Sequence, residues 1–171
     1  MTELLQGLVL VSYGSHGVIR TDSGATLDCQ YRRQVGRPFC GDRVVVQPLS
    51  KSSGVVEEIL PRVNRFVRAD SQQRPQIVAA NLDRVLVVLA RRPLPSQDLV
   101  ERYLVAVHSL GIEPVIVMNK VDLPVPEDST ERLAVLDHVD DYRQLGYTVL
   151  ATSCKGPPGI GALRPVGRRW R

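Results

Sequence analysis

The first third of the chain alternates apolar and polar residues over short stretches, as expected for strands with one buried face. Turn residues at 22–24 and 52–54 separate some of these stretches. The predicted strands occupy residues 7–11, 18–21, 25–31, 43–47 and 55–60. Five strands in under sixty residues, without helical periodicity, predict a small closed barrel of the OB type over residues 1–62. Closure removes the edges that short strands otherwise expose.

The pattern changes after the barrel. Residues 63–82 are largely polar and basic and are interpreted as a linker. Continuous apolar runs then occur at 85–90, 113–118 and 147–151. The first is typical of a strand buried on both faces. Residues 83–171 are therefore predicted to form a separate α/β unit.

Two helices are predicted between these three strands. Ser96 and Gly111 are suitable ends for the first, with an apolar stripe of Leu99, Val100, Tyr103, Leu104, Val107 and Leu110. Asp128 and Glu131 resemble a capping box for the second, which is lined by Leu133, Leu136, Val139 and Tyr142. The order of elements predicts a parallel sheet with right-handed crossovers, but three strands are few for such a domain.

The second apolar run leads into Asn119, Lys120, Asp122 and Leu123. An Asn-Lys-x-Asp loop after a strand is typical of proteins that bind guanine. The Asp carboxylate can accept from the ring N–H and the exocyclic amine together, a contact that adenine lacks. The Lys stem can lie along the base, and the Asn can tie the loop to its neighbours. As a bare string of four residues the motif is weak evidence, and its position after a strand strengthens it.

The third apolar run leads into Ser153, Cys154 and Lys155. This stretch resembles the Ser-Ala-Lys loop that closes over guanine, in which a backbone N–H, here that of Cys154, donates to the base O6. The chain has three lysines, and two of them, Lys120 and Lys155, fall in these loops. The alternative is that both are ordinary polar loops between strands and helices.

The sequence has no phosphate-binding motif to accompany these loops. No G-x-x-x-x-G-K-[ST] occurs, and Gly156 and Gly161 are followed by Ala162 and Leu163 rather than by Lys and Ser. Phosphates require a nest of backbone N–H groups, a Lys and a hydroxyl for Mg²⁺. The residues therefore predict a site for a guanine base but neither triphosphate binding nor catalytic residues.

Composition adds a basic character and few candidates for metal binding. The 171 residues carry a net charge of +4, mostly from arginine, which is compatible with an RNA partner. Three cysteines and three histidines show no ligand spacing, so no metal site is predicted. The N-terminus is unlike a signal peptide and no apolar run reaches membrane length, so we expect a cytoplasmic protein without a membrane partner.

One loop of the predicted barrel combines basic and aromatic side chains. Its candidate RNA-binding residues are Arg32, Arg33, Arg37, Phe39 and Arg43. Arginines suit a phosphate backbone, and an aromatic ring suits a stacked base. A solvated basic loop explains the same residues equally well.

Together the barrel, the segment 79–83, Arg102-Tyr103-Leu104 and the two loops resemble the circularly permuted, small-subunit-dependent GTPase A (RsgA-type) family over roughly residues 6–163. In that family the guanine loops precede the phosphate loop. The resemblance implies GTP or GDP as ligand, ribosomal RNA bound by the barrel, and the small ribosomal subunit as partner during late maturation. It implies Mg²⁺ and Zn²⁺ only in the full-length protein, which is expected to be a monomer.

The sequence departs from the family pattern after Leu163. The family continues into the phosphate loop, switches and a zinc domain, whereas this sequence continues with residues 164–171, which include Pro165 and Gly167. We expect a chain truncated before the phosphate loop that is inactive as a GTPase and able to self-associate. The alternatives are a basic RNA-binding tail and, for the whole chain, a non-catalytic OB-type RNA-binding module with a remnant α/β half.

Overall fold

The structure is a computed structural model that describes residues 3–93, 95–124 and 139–167. The chain forms two compact units, Met1–Leu82 and Asp83–Arg171. No helix within the described ranges is long and apolar enough to cross a membrane.

The first unit contains a closed five-stranded barrel, which confirms the predicted OB-type architecture. Its strands follow the order β1-β2-β3-β5-β4, with β3 and β5 parallel and the other neighbours antiparallel. The strands are β1 (Leu5–Tyr13), β2 (His16–Thr21), β3 (Thr26–Tyr31), β4 (Arg43–Pro48) and β5 (Ser53–Ile59).

The barrel core follows from the alternation in the sequence. Successive side chains of a strand point to opposite faces, so every second residue faces inward. The buried cluster comprises Val9, Ile19, Leu27, Cys29, Val44, Val46 and Val56. β-Branched residues dominate it, as suits side chains packed on a pleated surface.

Residues 63–82 were predicted as a linker, and this prediction is wrong. They contain an antiparallel hairpin of β6 (Arg65–Ala69) and β7 (Pro75–Ala80). The hairpin belongs to the first compact unit. Its polar composition reflects exposed strand faces rather than a lack of structure.

Asn81, just after the hairpin, fixes it to the barrel. Its side-chain amide donates to Gly41 O at 2.9 Å and accepts from Val63 N at 2.8 Å. Gly41 has φ +89°, and a Cβ there would lie 2.0 Å from Ala80 O, so only glycine permits this approach.

The second unit is a three-stranded parallel sheet of order β10-β9-β8 with helices, as predicted. The elements are β8 (Val85–Ala90), α1 (Gln97–His108), β9 (Pro114–Asn119), α2 (Val139–Gln144), β10 (Thr148–Ala151) and α3 (Arg164–Gly167). A 3₁₀ turn at Gly161–Leu163 precedes the short α3.

The core of the second unit lies between the sheet and the helices. It comprises Val87, Leu89, Val100, Leu104, Ile116, Met118 and Tyr142. The central β9 is buried on both faces. β8 was expected to be buried likewise, and this was wrong: Leu86 and Val88 are exposed. Leu86 and Val88 lie on one face of this edge strand, whereas Val87 and Leu89 on the opposite face are buried.

The ends of the helices agree partly with the sequence. Ser96 is the N-cap residue of α1, although its side chain makes no capping hydrogen bond. Gly111 has φ +72° just beyond the helix, as predicted for a C-terminal glycine. Of the predicted stripe, Leu99 and Tyr103 are exposed. The predicted capping box at Asp128 and Glu131 lies outside the described residues.

Candidate functional site

The sheet brings the two candidate loops together. We call residues 119–123 the Asn119 loop and residues 152–156 the Ser153 loop. They follow β9 and β10, which are parallel neighbours, so both loops lie at the carboxyl edge of the sheet. This edge is where open α/β sheets bind ligands.

Thr152 holds the start of one loop against the other. Its backbone N–H donates to Met118 O at 2.8 Å, and its carbonyl accepts from Val121 N at 3.2 Å. Its buried hydroxyl donates to the Asn119 side-chain oxygen at 3.1 Å. The Asn119 amide is therefore tied to the neighbouring loop, the role predicted for it.

Ser153 links the loops through their side chains. Its buried Oγ donates to Asp122 Oδ1 at 2.5 Å. The same oxygen accepts from Lys155 N at 3.1 Å and from Gly156 N at 3.0 Å. The Asp122 carboxylate is thus held on one side while the residue stays exposed. A carboxylate in this arrangement retains lone pairs that can accept two parallel N–H groups.

Lys120 has an unusual backbone conformation at the turn of the Asn119 loop. Its φ is +56°, in the left-handed region, which costs a non-glycine residue roughly 1–2 kcal/mol. Its ammonium donates to Arg92 O at 2.7 Å. The stem is therefore fixed at its far end, and Lys155, the other predicted lysine, is exposed.

Cys154 was predicted to offer its backbone N–H to a base. It is exposed, and this N–H donates to no acceptor among the described residues. The flanking N–H groups of Ser153 and Lys155 are both engaged. Among the backbone N–H groups of the Ser153 loop, that of Cys154 is thus the one left unpaired within the described part of the chain, as a carbonyl oxygen such as O6 requires.

Arg91 takes part in the site and was not predicted from the sequence. It follows β8, and its Nη1 donates to Val121 O at 2.7 Å and also to Leu123 O. These carbonyls flank Asp122 in the chain. The only signal in the sequence is a cation after a strand that ends at the same sheet edge, and an arginine-rich chain makes that signal weak.

The basic loop of the barrel is partly neutralised. Arg32 lies 2.7 Å from Glu57, and Arg43 makes two bonds to Asp22 at 2.7 and 2.8 Å. The Arg43 hydrogen bonds lower the pKa of the Asp22 carboxyl. Arg33 is exposed and makes no ion pair with any described residue. The predicted RNA-binding arginines are thus close in the chain, but they differ in how freely they can contact a partner.

Phe39 is half-buried rather than presented to a base. The guanidiniums of Arg37 and Arg62 lie 5.6 and 5.3 Å from its ring centroid. Arg62 makes two 2.7 Å bonds to the fully buried Asp42, which also accepts from Phe39 N. Phe39 therefore anchors the loop by cation–π contacts, and of these two arginines the exposed Arg37 is the more accessible to a partner.

A cleft of about 800 Å³ lies at the opposite edge of the sheet, where its strands begin. His108 and Tyr147 line it, and their Nε2 and hydroxyl lie 3.0 Å apart. Neither candidate loop lines this cleft. The base site predicted from the sequence lies at the loops and not in this cleft, whose size alone identifies no ligand.

No group of three or more His, Cys, Asp or Glu side chains in the described ranges could hold a metal ion. The family resemblance implies Mg²⁺ and Zn²⁺ only for the full-length protein, and no metal-dependent step is assigned to the described residues.

A closed OB barrel followed by a parallel sheet with two linked loops at its carboxyl edge defines a class: a barrel joined to part of a circularly permuted GTPase fold. The RsgA GTPase family model matches residues 59–168. The chain belongs to this family.

Known proteins agree with this assignment. A small ribosomal subunit biogenesis GTPase RsgA from Ralstonia pickettii is 39% identical over 162 residues, covering 93% of this chain and 49% of the relative. YjeQ from Thermotoga maritima is 26% identical with a TM-score of 0.73, covering 96% of this chain and 57% of that one. YloQ, described as a circularly permuted GTPase, is 25% identical with a TM-score of 0.67, covering 96% and 55%. The chain spans about half the length of the curated relatives it matches.

Proposed function

We propose that this chain carries the guanine-recognition and RNA-binding parts of a cytoplasmic GTPase that acts in biogenesis of the small ribosomal subunit. In this proposal Asp122 selects guanine, Asn119 and Ser153 hold the loops, and Lys120, Leu123 and Lys155 contact the base. The Cys154 N–H donates to O6. The observation that carries the proposal is the bond from Ser153 to Asp122, which joins the two loops predicted independently as guanine-binding.

Base recognition is tested with nucleotides that need no phosphate loop. Base contacts alone must offset the entropy of association, so we expect a dissociation constant no better than roughly millimolar. Titration with GMP and AMP, followed by amide chemical shifts, should show preference for GMP at residues of both loops. Equal binding of GMP and AMP would overturn the guanine proposal and favour the non-catalytic RNA-binding module.

A sharper test of base selection replaces an acceptor of Asp122 by a donor and, in the nucleotide, the matching donor by an acceptor. Xanthine carries a carbonyl where guanine carries its amine, so it needs a donor at that point. Asp122→Asn supplies an amide of nearly equal size. We expect the variant to lose preference for GMP and gain preference for XMP. Asp98→Asn, at an exposed position in the first turn of α1, is the matched control and should bind as the unmodified chain does.

The barrel is proposed to contact ribosomal RNA. Its arginines differ in how freely they can bind a phosphate. Arg33 and Arg37 are exposed without a carboxylate partner in the described part of the chain, whereas Arg32 and Arg43 are paired with carboxylates. Phosphate contacts release counterions, so affinity falls as salt rises. Each lost contact flattens the salt slope by about one unit.

Two double variants with the same loss of charge test this difference. We expect Arg33→Ala with Arg37→Ala to flatten the salt dependence of small-subunit binding by about two units. Arg32→Ala with Arg43→Ala should change it less, because each of these arginines is already balanced by a carboxylate. Equal binding by both variants and the unmodified chain would mean that the arginines only solubilise the barrel.

We also propose that the isolated chain self-associates through β8. This strand lies at the edge of the sheet, with Leu86 and Val88 exposed. Unpaired backbone groups and exposed apolar side chains on an edge strand favour pairing with another chain. Sedimentation should show an average mass that rises with concentration, and Val88→Lys should reduce that rise. A monomer at all concentrations would contradict the proposal.

A further inference from the structure

Arg91 lies directly after the edge strand β8 and reaches the Asn119 loop. Its Nη1 donates to Val121 O at 2.7 Å and to Leu123 O. The side chain is half-buried. A guanidinium is always charged and presents its donors in a rigid, planar fork. It therefore restrains two carbonyls with little loss of further side-chain freedom.

Residues 91–92 and the Asn119 loop are joined by hydrogen bonds in both directions. Lys120 Nζ donates to Arg92 O at 2.7 Å, so each segment donates to the other's backbone. Three hydrogen bonds to charged donors thus join residues 91–92 to the Asn119 loop. Such bonds are roughly twice as strong as neutral ones.

The position of the two carbonyls gives Arg91 its significance. Val121 and Leu123 are the immediate neighbours of Asp122, so holding both carbonyls restrains the backbone on either side of Asp122 and with it the direction of the Asp122 Cα–Cβ bond. Ser153 fixes the carboxylate itself. A two-point hydrogen bond to a base tolerates little angular error. Lys120, in a left-handed conformation, needs such restraint to keep the loop in place.

We propose that Arg91 is a positioning residue for base selection, which aims Asp122 at guanine without touching the base. The proposal rests on the guanine-binding function proposed above. It concerns selectivity more than affinity. A misdirected carboxylate can still accept one N–H, but it loses the second.

The test compares Arg91→Met with Arg92→Met. Both changes remove a guanidinium and keep an apolar stem. The Arg92 side chain is exposed, and its contact with Lys120 uses only its carbonyl. GMP and IMP are titrated against each protein, because IMP lacks the exocyclic amine and offers Asp122 one donor instead of two.

The unmodified chain should bind GMP about tenfold more tightly than IMP, the effect of one hydrogen bond to a carboxylate. In Arg91→Met this ratio should fall to about twofold, toward the value for Asp122→Ala. Arg92→Met should keep the full ratio, and Arg91→Lys should recover part of it. A merely structural role would weaken GMP and IMP equally and leave the ratio unchanged.

The outcomes separate the two proposals. If Arg91→Met keeps the tenfold preference for GMP over IMP and Asp122→Ala loses it, the role of Arg91 is overturned and guanine recognition stands. A ratio of one in the unmodified chain would overturn guanine recognition and, with it, the role of Arg91. A reduced ratio in Arg92→Met would show that charge, not position, is responsible.

Discussion

Ser153→Ala is expected to destabilise the second unit more than its small change in volume suggests. The hydroxyl is buried, donates to Asp122 and accepts from the backbone N–H groups of Lys155 and Gly156. Alanine removes all three bonds and leaves two backbone donors unpaired in a partly buried turn. The carboxylate loses its anchor in the same step.

The magnitude follows from the partners. A hydrogen bond to a charged group contributes about 1.5–3 kcal/mol, and each unsatisfied buried donor costs about 1–3 kcal/mol. These terms are not additive, because the loop relaxes and part of it reaches solvent. We therefore expect the free energy of unfolding to fall by about 3 kcal/mol.

Ser50 provides a matched control within the barrel. Its Oγ also accepts from two backbone N–H groups, those of Ser52 at 3.3 Å and Ser53 at 3.1 Å. This turn is exposed, so water can replace the lost bonds. Ser50→Ala should cost about 0.5 kcal/mol or less, as for most surface substitutions.

The assay must resolve the two units, since a single unfolding curve assumes two states. Native-state amide exchange does so, with Val121 N–H as the reporter for the site because it donates to Thr152 O. Its exchange should accelerate strongly in Ser153→Ala and not in Ser50→Ala. Equal small effects of the two substitutions would refute the argument that burial of the hydroxyl controls the order of the loop.

Three further outcomes are expected. Gly41→Ala should destabilise the barrel by about 2 kcal/mol more than Gly24→Ala in urea denaturation, because both have φ +89° but only Gly41 lies against a backbone carbonyl; equal losses would contradict this. Burial raises the pKa of Cys29 to about 11, so at pH 8 iodoacetamide should modify the exposed Cys154 and spare Cys29 until the pH approaches 11 or the barrel unfolds; mass spectrometry of the peptides decides this. The 171-residue chain should release no phosphate from GTP above background, with or without small subunits, because the sequence has no G-x-x-x-x-G-K-[ST]; repeated turnover would disprove this.

The strands were predictable from the sequence, because their apolar residues follow local patterns. Alternation identified the five barrel strands, and continuous apolar runs identified the three strands of the parallel sheet. The parallel order then placed Asn119 and Ser153 at one edge. Each of these inferences needs only neighbouring residues and the rules of chain connection.

Features that depend on distant partners were not predictable. The 63–82 hairpin is anchored by Asn81, whose partner Gly41 is forty residues away. Arg91 lies thirty residues from the carbonyl of Val121 that it contacts. Composition likewise cannot distinguish Arg32, paired with Glu57, from the exposed Arg33 beside it.

The parallel pairing of β9 with both β8 and β10 has a consequence for synthesis. Every contact of the base site, including the bond from Ser153 N to Gly159 O, joins residues between Arg91 and Gly159. A ribosome that has released this stretch has released a complete set of these contacts, whatever follows in the relatives' longer chains. Since nascent chains fold from the N-terminal side, the barrel and then the base site can form in the order in which they emerge. In the relatives' longer chains, the proposed base site would then be complete before the segments that follow it are synthesised.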